Sequence, residues 1–242
     1  MSGRSIAVSA GTAEVLRHSP LSPQALTPAE AERARAFQRP EDRDDFVAAH
    51  LLVRLAAARV LGVPADRVTL RQHCADCGGP HGKPSVEGHP EVSVSLSHAP
   101  GLVAAAAGRD PVGVDIERLG GPPVPLQAMA LVLSEPEMRD VLAADACRQR
   151  VFFRLWVRKE CLVKIGSARL QTMRDTDVSA AADGGAFARS GYFLDWEGVE
   201  PDHVAAAVGT TRPVRVGLTD LLRDGGRERV AAGAGAGNRG RR

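Results

Sequence analysis

The chain has 242 residues, enough for one large domain or two compact ones, each with its own core. A hydrophobic fraction of 44% and a charged fraction of 25% are ordinary for a globular protein, and no apolar run approaches the roughly 18 to 20 residues of a membrane span. A net charge of +2 with 4% aromatic residues argues against a nucleic-acid binder working through charge and base stacking.

The start, MSGRSIAVSAG, has neither a long apolar core nor a cleavage pattern, so no signal peptide is expected. Thr27-Pro28-Ala29-Glu30 joins an N-cap threonine, a first-turn proline and a capping-box glutamate, which predicts a helix to about Phe37. Pro40 breaks it, and a longer helix is expected from about Glu41 to Leu61, stopped by Gly62. Its apolar stripe is Phe46, Ala49, Val53, Ala57 and Val60. Strands are expected at 67–72, 91–96, 102–107 and 112–117, the last two separated by a Gly-Arg-Asp-Pro turn. After the proline-rich linker 120–125, Ser134-Glu135-Pro136-Glu137 repeats the capping logic, and a helix at 147–165 ends at Gly166. Further strands are expected near 175–179, 186–195, 203–208 and 212–217. The order of elements predicts an α+β fold in two halves: an N-terminal lobe over 1–112, a C-terminal lobe over 113–228 and a disordered tail over 229–242.

Only three of the 31 basic residues are lysines, Lys83, Lys159 and Lys164. In a chain that otherwise uses arginine, they are candidates for positions needing a compact, flexible ammonium. In GVDIER, at 113–118, strand alternation sends Val112, Val114 and Ile116 one way and Asp115 and Glu117 the other. Two adjacent carboxylates repel unless a cation or proton lies between them, although a solvated polar strand face would read the same. The helix VFFRLWVRKECLVKIG sets Trp156, Glu160 and Lys164 on one stripe, adding a third carboxylate and an ammonium. Hard oxygen donors beside lysines suit Mg²⁺ and phosphate. Ser97 and His98 end an alternating strand, where a histidine beside small residues can donate to a phosphate or equally serve as a satisfied structural side chain, and Gly82-Lys83-Pro84 allows close backbone approach to a ligand.

These motifs, GKP at 82–84, SLSH at 95–98, GVDIE at 113–117 and WVRKECLVK at 156–164, resemble those of the two-lobed 4′-phosphopantetheinyl transferases of the surfactin-synthase activator type. The resemblance extends over about residues 30 to 220. It implies two pseudo-symmetric lobes, each a small, mainly antiparallel sheet packed with helices. It further implies a holo-[acyl-carrier-protein] synthase type of enzyme, moving 4′-phosphopantetheine from coenzyme A to a serine of an apo acyl or peptidyl carrier protein. Such carriers serve fatty-acid, polyketide and nonribosomal-peptide synthesis. By the same resemblance Asp115, Glu117 and Glu160 would ligate Mg²⁺, with Glu160 assisting serine deprotonation. Lys164 would face the transferring pyrophosphate with Lys159 in support, while Lys83, Ser97, His98 and Arg43 would bind coenzyme A. The expected setting is cytoplasmic and monomeric, without nucleic acid or membrane. Asp45 and Ser167-Ala168-Arg169-Leu170 depart from the family pattern and motivate an alternative, a non-catalytic relative that binds coenzyme A or carrier protein. His73-Cys74-Ala75-Asp76-Cys77-Gly78-Gly79-Pro80-His81 reads either as a zinc knuckle or as a glycine-rich loop carrying two thiols.

Overall fold

A computed structural model describes residues 4–74, 77–80, 82–179, 186–187, 191–198 and 202–223. The chain opens with β1 (Ile6–Gly11) and α1 (Thr12–His18), followed by α2 (Pro28–Ala36) and α3 (Pro40–Leu61). The capping box of α2 forms as the sequence predicts: Glu30 N–H donates to Thr27 Oγ1 at 3.3 Å and Thr27 N–H to Glu30 Oε2 at 2.7 Å. Pro40 begins α3 rather than preceding it, since the first turn needs no N–H from that residue. Gly62 ends the helix in the left-handed region at φ 72°.

Five strands follow: β2 (Leu70–Gln72), β3 (Pro84–Val86), β4 (Ser93–Ala99), β5 (Leu102–Gly108) and β6 (Val112–Arg118). Next come α4 (Leu126–Val132), α5 (Glu135–Ala143), α6 (Arg148–Lys164), β7 (Ala186–Phe187), β8 (Gly191–Gly198), β9 (His203–Gly209) and β10 (Val214–Arg215). The fold is α+β, with one sheet ordered β10-β1-β5-β4-β3-β2 and a second ordered β6-β9-β8-β7. Every pairing is antiparallel except β1 with β10. Through β10 the chain returns to the first sheet, and Leu218 and Leu221 pack in the first core beneath α3. The tail expected at 229–242 lies outside the described residues.

Helix α3 covers one face of the first sheet, α6 covers one face of the second, and the remaining two faces meet. The seam holds Ala7, Ala104 and Ala106 against Val112, Val114, Ile116, Ala205 and Ala207, so small side chains let the sheets approach closely. Alternate serines of β4 sew the sheets together. Val112 N–H donates to Ser93 Oγ at 3.2 Å and Val114 N–H to Ser95 Oγ at 3.1 Å, satisfying the open edge of β6 with side chains.

Residues 175–179 are not a strand. A 3-10 segment, Leu170–Asp175, precedes an irregular stretch whose backbone groups are taken by side chains: Thr176 O accepts from Lys159 and Val178 N–H donates to Glu137. The expected strand at 67–72 shortens to Leu70–Gln72 behind a 3-10 turn at Ala65–Arg67. The expected strand at 212–217 shortens to Val214–Arg215.

Helix α3 buries three polar residues, Asp45, His50 and Arg54. Arg54 donates to Glu30 Oε2 at 2.6 Å, and His50 Nε2 lies 3.8 Å from Glu30 Oε1. His50 Nδ1 donates to Phe46 O at 2.8 Å, which leaves Nε2 as the nitrogen that would have to take up a proton. Burial, above the pull of Glu30, holds the pKa of His50 below its ordinary value. The unfolded chain therefore binds this proton first, so stability attributable to His50 is complete above about pH 6.5 and is lost as pH falls toward the folded value. Urea midpoints taken near pH 7.5 and near pH 5.5 should fall less steeply with acid in His50→Gln than in the parent chain. Equal slopes would show that His50 does not carry this loss.

Candidate active site

The second strand face is built around a missing side chain. A Cβ on Gly113 would come 2.5 Å from Cys161 O and 3.2 Å from Ile165 Cγ2, so only glycine lets α6 lie this close to β6. That approach sets Glu160 and Lys164 of α6 beside Asp115 and Glu117 of β6. Gly113→Ala must push helix and strand apart and is expected to cost about 1 to 3 kcal/mol in urea unfolding. A variant as stable as the parent would refute this account of the glycine.

Asp115 is buried and its two oxygens differ. Oδ1 accepts from Ser97 Oγ at 2.7 Å and from Lys164 Nζ at 2.7 Å. Oδ2 is buried with no hydrogen-bond partner. Lys164 also donates to Val114 O at 2.8 Å and lies 3.4 Å from Leu96 O, spanning both sheets. Trp156 Nε1 donates to Glu117 Oε1 at 3.1 Å, which explains the aromatic residue on the stripe. The three carboxylates feel one another. Burial first, then Asp115, raises the pKa of Glu117 to about 7 despite the Trp156 hydrogen bond. Glu160 is raised by burial and then by Asp115, with Lys164 opposing. Such a face gains by taking up a cation.

Among the described residues, no group of three or more His, Cys, Asp or Glu is gathered tightly enough to hold a metal ion alone. The donor set nonetheless suits magnesium: hard oxygens, one of them buried and unpartnered, with coordination left for substrate oxygens.

Beside this face a cavity of about 280 Å³ is lined by Gln72, Gly82, Lys83, Pro84, Val94, Ser95, Leu96, Val163 and Lys164. Lys83, just before β3, and Lys164, at the end of α6, thus line the same cleft. A wider groove of about 650 Å³ continues past Gly82, Pro80 and Gln72 to Arg33 and Glu32 of α2.

The structure does not bring every expected residue here. Lys159 is fully buried, forming a 2.7 Å ion pair with Glu137 and donating to Met173 O at 2.8 Å and Thr176 O at 2.7 Å. Its side chain has no exposure and lines neither the cavity nor the groove, whereas that of Lys164, although its ammonium also has three partners, is 26% exposed and lines the cleft. Arg43 is exposed and pairs with its neighbour Asp44 at 3.0 Å, away from the cavity. Arg33, which the sequence pattern did not single out, is the arginine on the groove, 5.5 Å from the Phe46 ring centre. His98 lies near the end of β4. Its pKa is lowered chiefly by burial of the ring, and Asp45, Lys164, Arg33 and Asp42 act on it electrostatically. Asp45 accepts from Thr12 Oγ1 and from Gly101 N–H at 3.1 Å, tying α3 to α1 and to the β4–β5 turn.

Residues 111–208, from β6 through β9, match the family model of the 4′-phosphopantetheinyl transferase superfamily. Over this segment the chain is similar to that superfamily. The chain is 29% identical over 140 residues to 4′-phosphopantetheinyl transferase Sfp of Bacillus subtilis (strain 168), covering 57% of this chain and 59% of that protein. It is 26% identical over 141 residues to a second Bacillus subtilis 4′-phosphopantetheinyl transferase, covering 58% and 59%. Over 86 residues it is 37% identical to 4′-phosphopantetheinyl transferase psf-1 of Bacillus pumilus, 35% of this chain and 36% of that one. The chain spans about three fifths of the length of the first relatives it matches. The superfamily match runs from β6 through α6 to Val208 in β9, and so includes Asp115, Glu117, Glu160 and Lys164.

Proposed function

We propose that the protein transfers the 4′-phosphopantetheine group of coenzyme A to a serine of an apo acyl or peptidyl carrier protein, releasing 3′,5′-ADP. The observation that carries this reading is a single cleft lined by both Lys83 and Lys164, with Lys164 paired at 2.7 Å to Asp115 of the carboxylate face. Its relatives' names support the same activity.

Asp115, Glu117 and Glu160 would hold Mg²⁺, which when bound neutralises pyrophosphate charge. Ser97 and Trp156 keep the first two carboxylates in place through their hydrogen bonds. Glu160, poised by burial to accept a proton, takes it from the carrier serine hydroxyl. The serine oxygen then bonds to the phosphorus bearing pantetheine, and the bond from that phosphorus to the bridging oxygen breaks. Lys164, on a flexible stem at the cavity wall, balances charge building on that bridging oxygen. Lys83 and Arg33, with His98 and Ser97 near the same strand end, bind the nucleotide portion. Lys159 acts only by fixing α6 and the 170–176 segment.

The reading places the protein in the cytoplasm as a monomer; among the described residues no helix is long and apolar enough to cross a membrane. Acyl, polyketide and nonribosomal-peptide carriers all fit the chemistry. The alternative is a non-catalytic relative that binds coenzyme A or carrier protein. It draws on the buried carboxylate of Asp45 close to His98, and on the absence of a tightly gathered ligand set among the described residues. Chromatography separates the two. An active transferase forms 3′,5′-ADP only when apo carrier, coenzyme A and Mg²⁺ are all present. Coenzyme A binding without nucleotide release would establish the non-catalytic relative.

A further inference from the structure

The cavity wall that carries Lys83 has little sheet to hold it. Strand β3 meets β4 at one registered pair, Ser85 with Ser93. Beyond it the two chains stop pairing and line the cavity instead, Lys83 and Pro84 from one and Val94, Ser95 and Leu96 from the other. On its far side β3 pairs with the edge strand β2, Leu70 with Val86, Arg71 with Ser85 and Gln72 with Pro84. Proline has no N–H to give the ladder at this pair, the one nearest the cavity. The side chain of Gln72 carries the tie one step further. Its Nε2 donates at 2.9 Å to the carbonyl of Gly82, the residue just before Lys83. Gly82 sits in the left-handed region at φ 98°, where a Cβ would come 3.1 Å from His73 O. Glycine is needed there, and it has the most backbone freedom to lose, so a tether at its carbonyl matters to where Lys83 lies. Of the pattern that reads as a zinc knuckle, Ala75, Asp76 and His81 lie outside the described residues.

Gln72 and Gly82 are also the two residues shared by the linings of the 280 Å³ cavity and the 650 Å³ groove. Their hydrogen bond therefore lies where the part lined by Lys83 and Lys164 gives way to the part lined by Glu32 and Arg33. We propose that Gln72 is a positioning residue for a nucleotide lying across this boundary: by holding the Gly82 carbonyl it keeps Lys83 on the cavity wall. The inference rests on the reading that coenzyme A occupies this cleft. Gln72 acts through Gly82 and not by touching the ligand. Asp115, Glu117 and Lys164 are held by hydrogen bonds of their own, so loss of the tether weakens coenzyme A binding and leaves the transfer step alone.

The test compares the full chain with Gln72→Met, which keeps the length of the side chain and removes its amide. Calorimetry with coenzyme A is expected to show a Kd raised about 3-fold to 10-fold, the size of effect one lost hydrogen bond produces. KM for coenzyme A should rise with it, while kcat at saturation stays within about twofold of the parent and the urea midpoint does not move. The NMR order parameter of the Lys83 N–H should fall from about 0.85 toward about 0.6. A parental Kd in Gln72→Met would overturn the inference. A weakened Kd with an unchanged order parameter would overturn it too, since Gln72 would then touch the ligand itself. A parent chain that binds coenzyme A but modifies no carrier would end the transferase reading and leave this one to be decided by Kd and order parameter. A parent chain that does not bind coenzyme A would overturn both.

Discussion

Glu160→Gln will lower the rate of carrier modification by about 10²-fold to 10³-fold or more while leaving the urea midpoint unchanged or slightly raised. The substitution conserves size and shape, so the packing of α6 on β6 is kept. What it removes is one negative charge from a face where burial and then Asp115 raise the cost of ionising Glu160, and Glu160 adds to the cost of ionising Glu117. Relief of that repulsion favours the folded state, whereas under the proposed function loss of the charge would remove both a cation ligand and the acceptor for the serine proton. A structural glutamate would behave differently, with activity falling only as far as stability does. Steady-state rates and urea curves on the same preparation distinguish these outcomes. A Glu160→Gln chain with parental kcat would remove Glu160 from the site.

Lys159→Met will have its largest effect on stability, costing about 3 to 5 kcal/mol, a large share of the 5 to 15 kcal/mol typical of a domain. Glu137 would be left buried and charged without its partner. Glu137 is more than half of a pair: Oε2 accepts from Ser134 N–H at 2.8 Å, closing the α5 capping box, and Oε1 accepts from Val178 N–H at 2.8 Å. The ammonium meanwhile holds two carbonyls of the segment that crosses beneath α6. Adding Glu137→Gln removes the stranded charge but keeps the amide oxygen as an acceptor, so the double variant should recover part of the loss in chemical denaturation. Lys159→Met with normal stability and abolished transfer would instead return Lys159 to the substrate.

Scarcity of lysine marked these three positions as special, and two of them do face one cleft. The same scarcity was silent about role. A compact ammonium is also what a buried cluster of one carboxylate and two carbonyls requires, and only the tertiary neighbours of Lys159 reveal that use. Local signals were legible wherever the physics is local. The caps at Thr27 and Ser134 close within four residues, and the alternation of β6 sorts Asp115 from Val114. The pairing of β1 was hidden because its residues are buried on both faces between β10 and β5, which erases any period of two. The serine seam was hidden too. Ser93, Ser95 and Ser97 read as the polar face of a strand until the edge of β6 is laid against them. Arg43, which the resemblance assigns to coenzyme A, is turned to solvent beside Asp44, and Arg33 of α2 lies on the groove instead.

The most direct measurement is the intact mass of an apo carrier protein after incubation with the chain, coenzyme A and Mg²⁺, across acyl and peptidyl carriers. The account predicts a gain of one phosphopantetheinyl group on the carrier serine, absent when coenzyme A is omitted and when Asp115→Asn replaces the parent chain. No mass gain on any carrier, or full modification by Asp115→Asn, would contradict it.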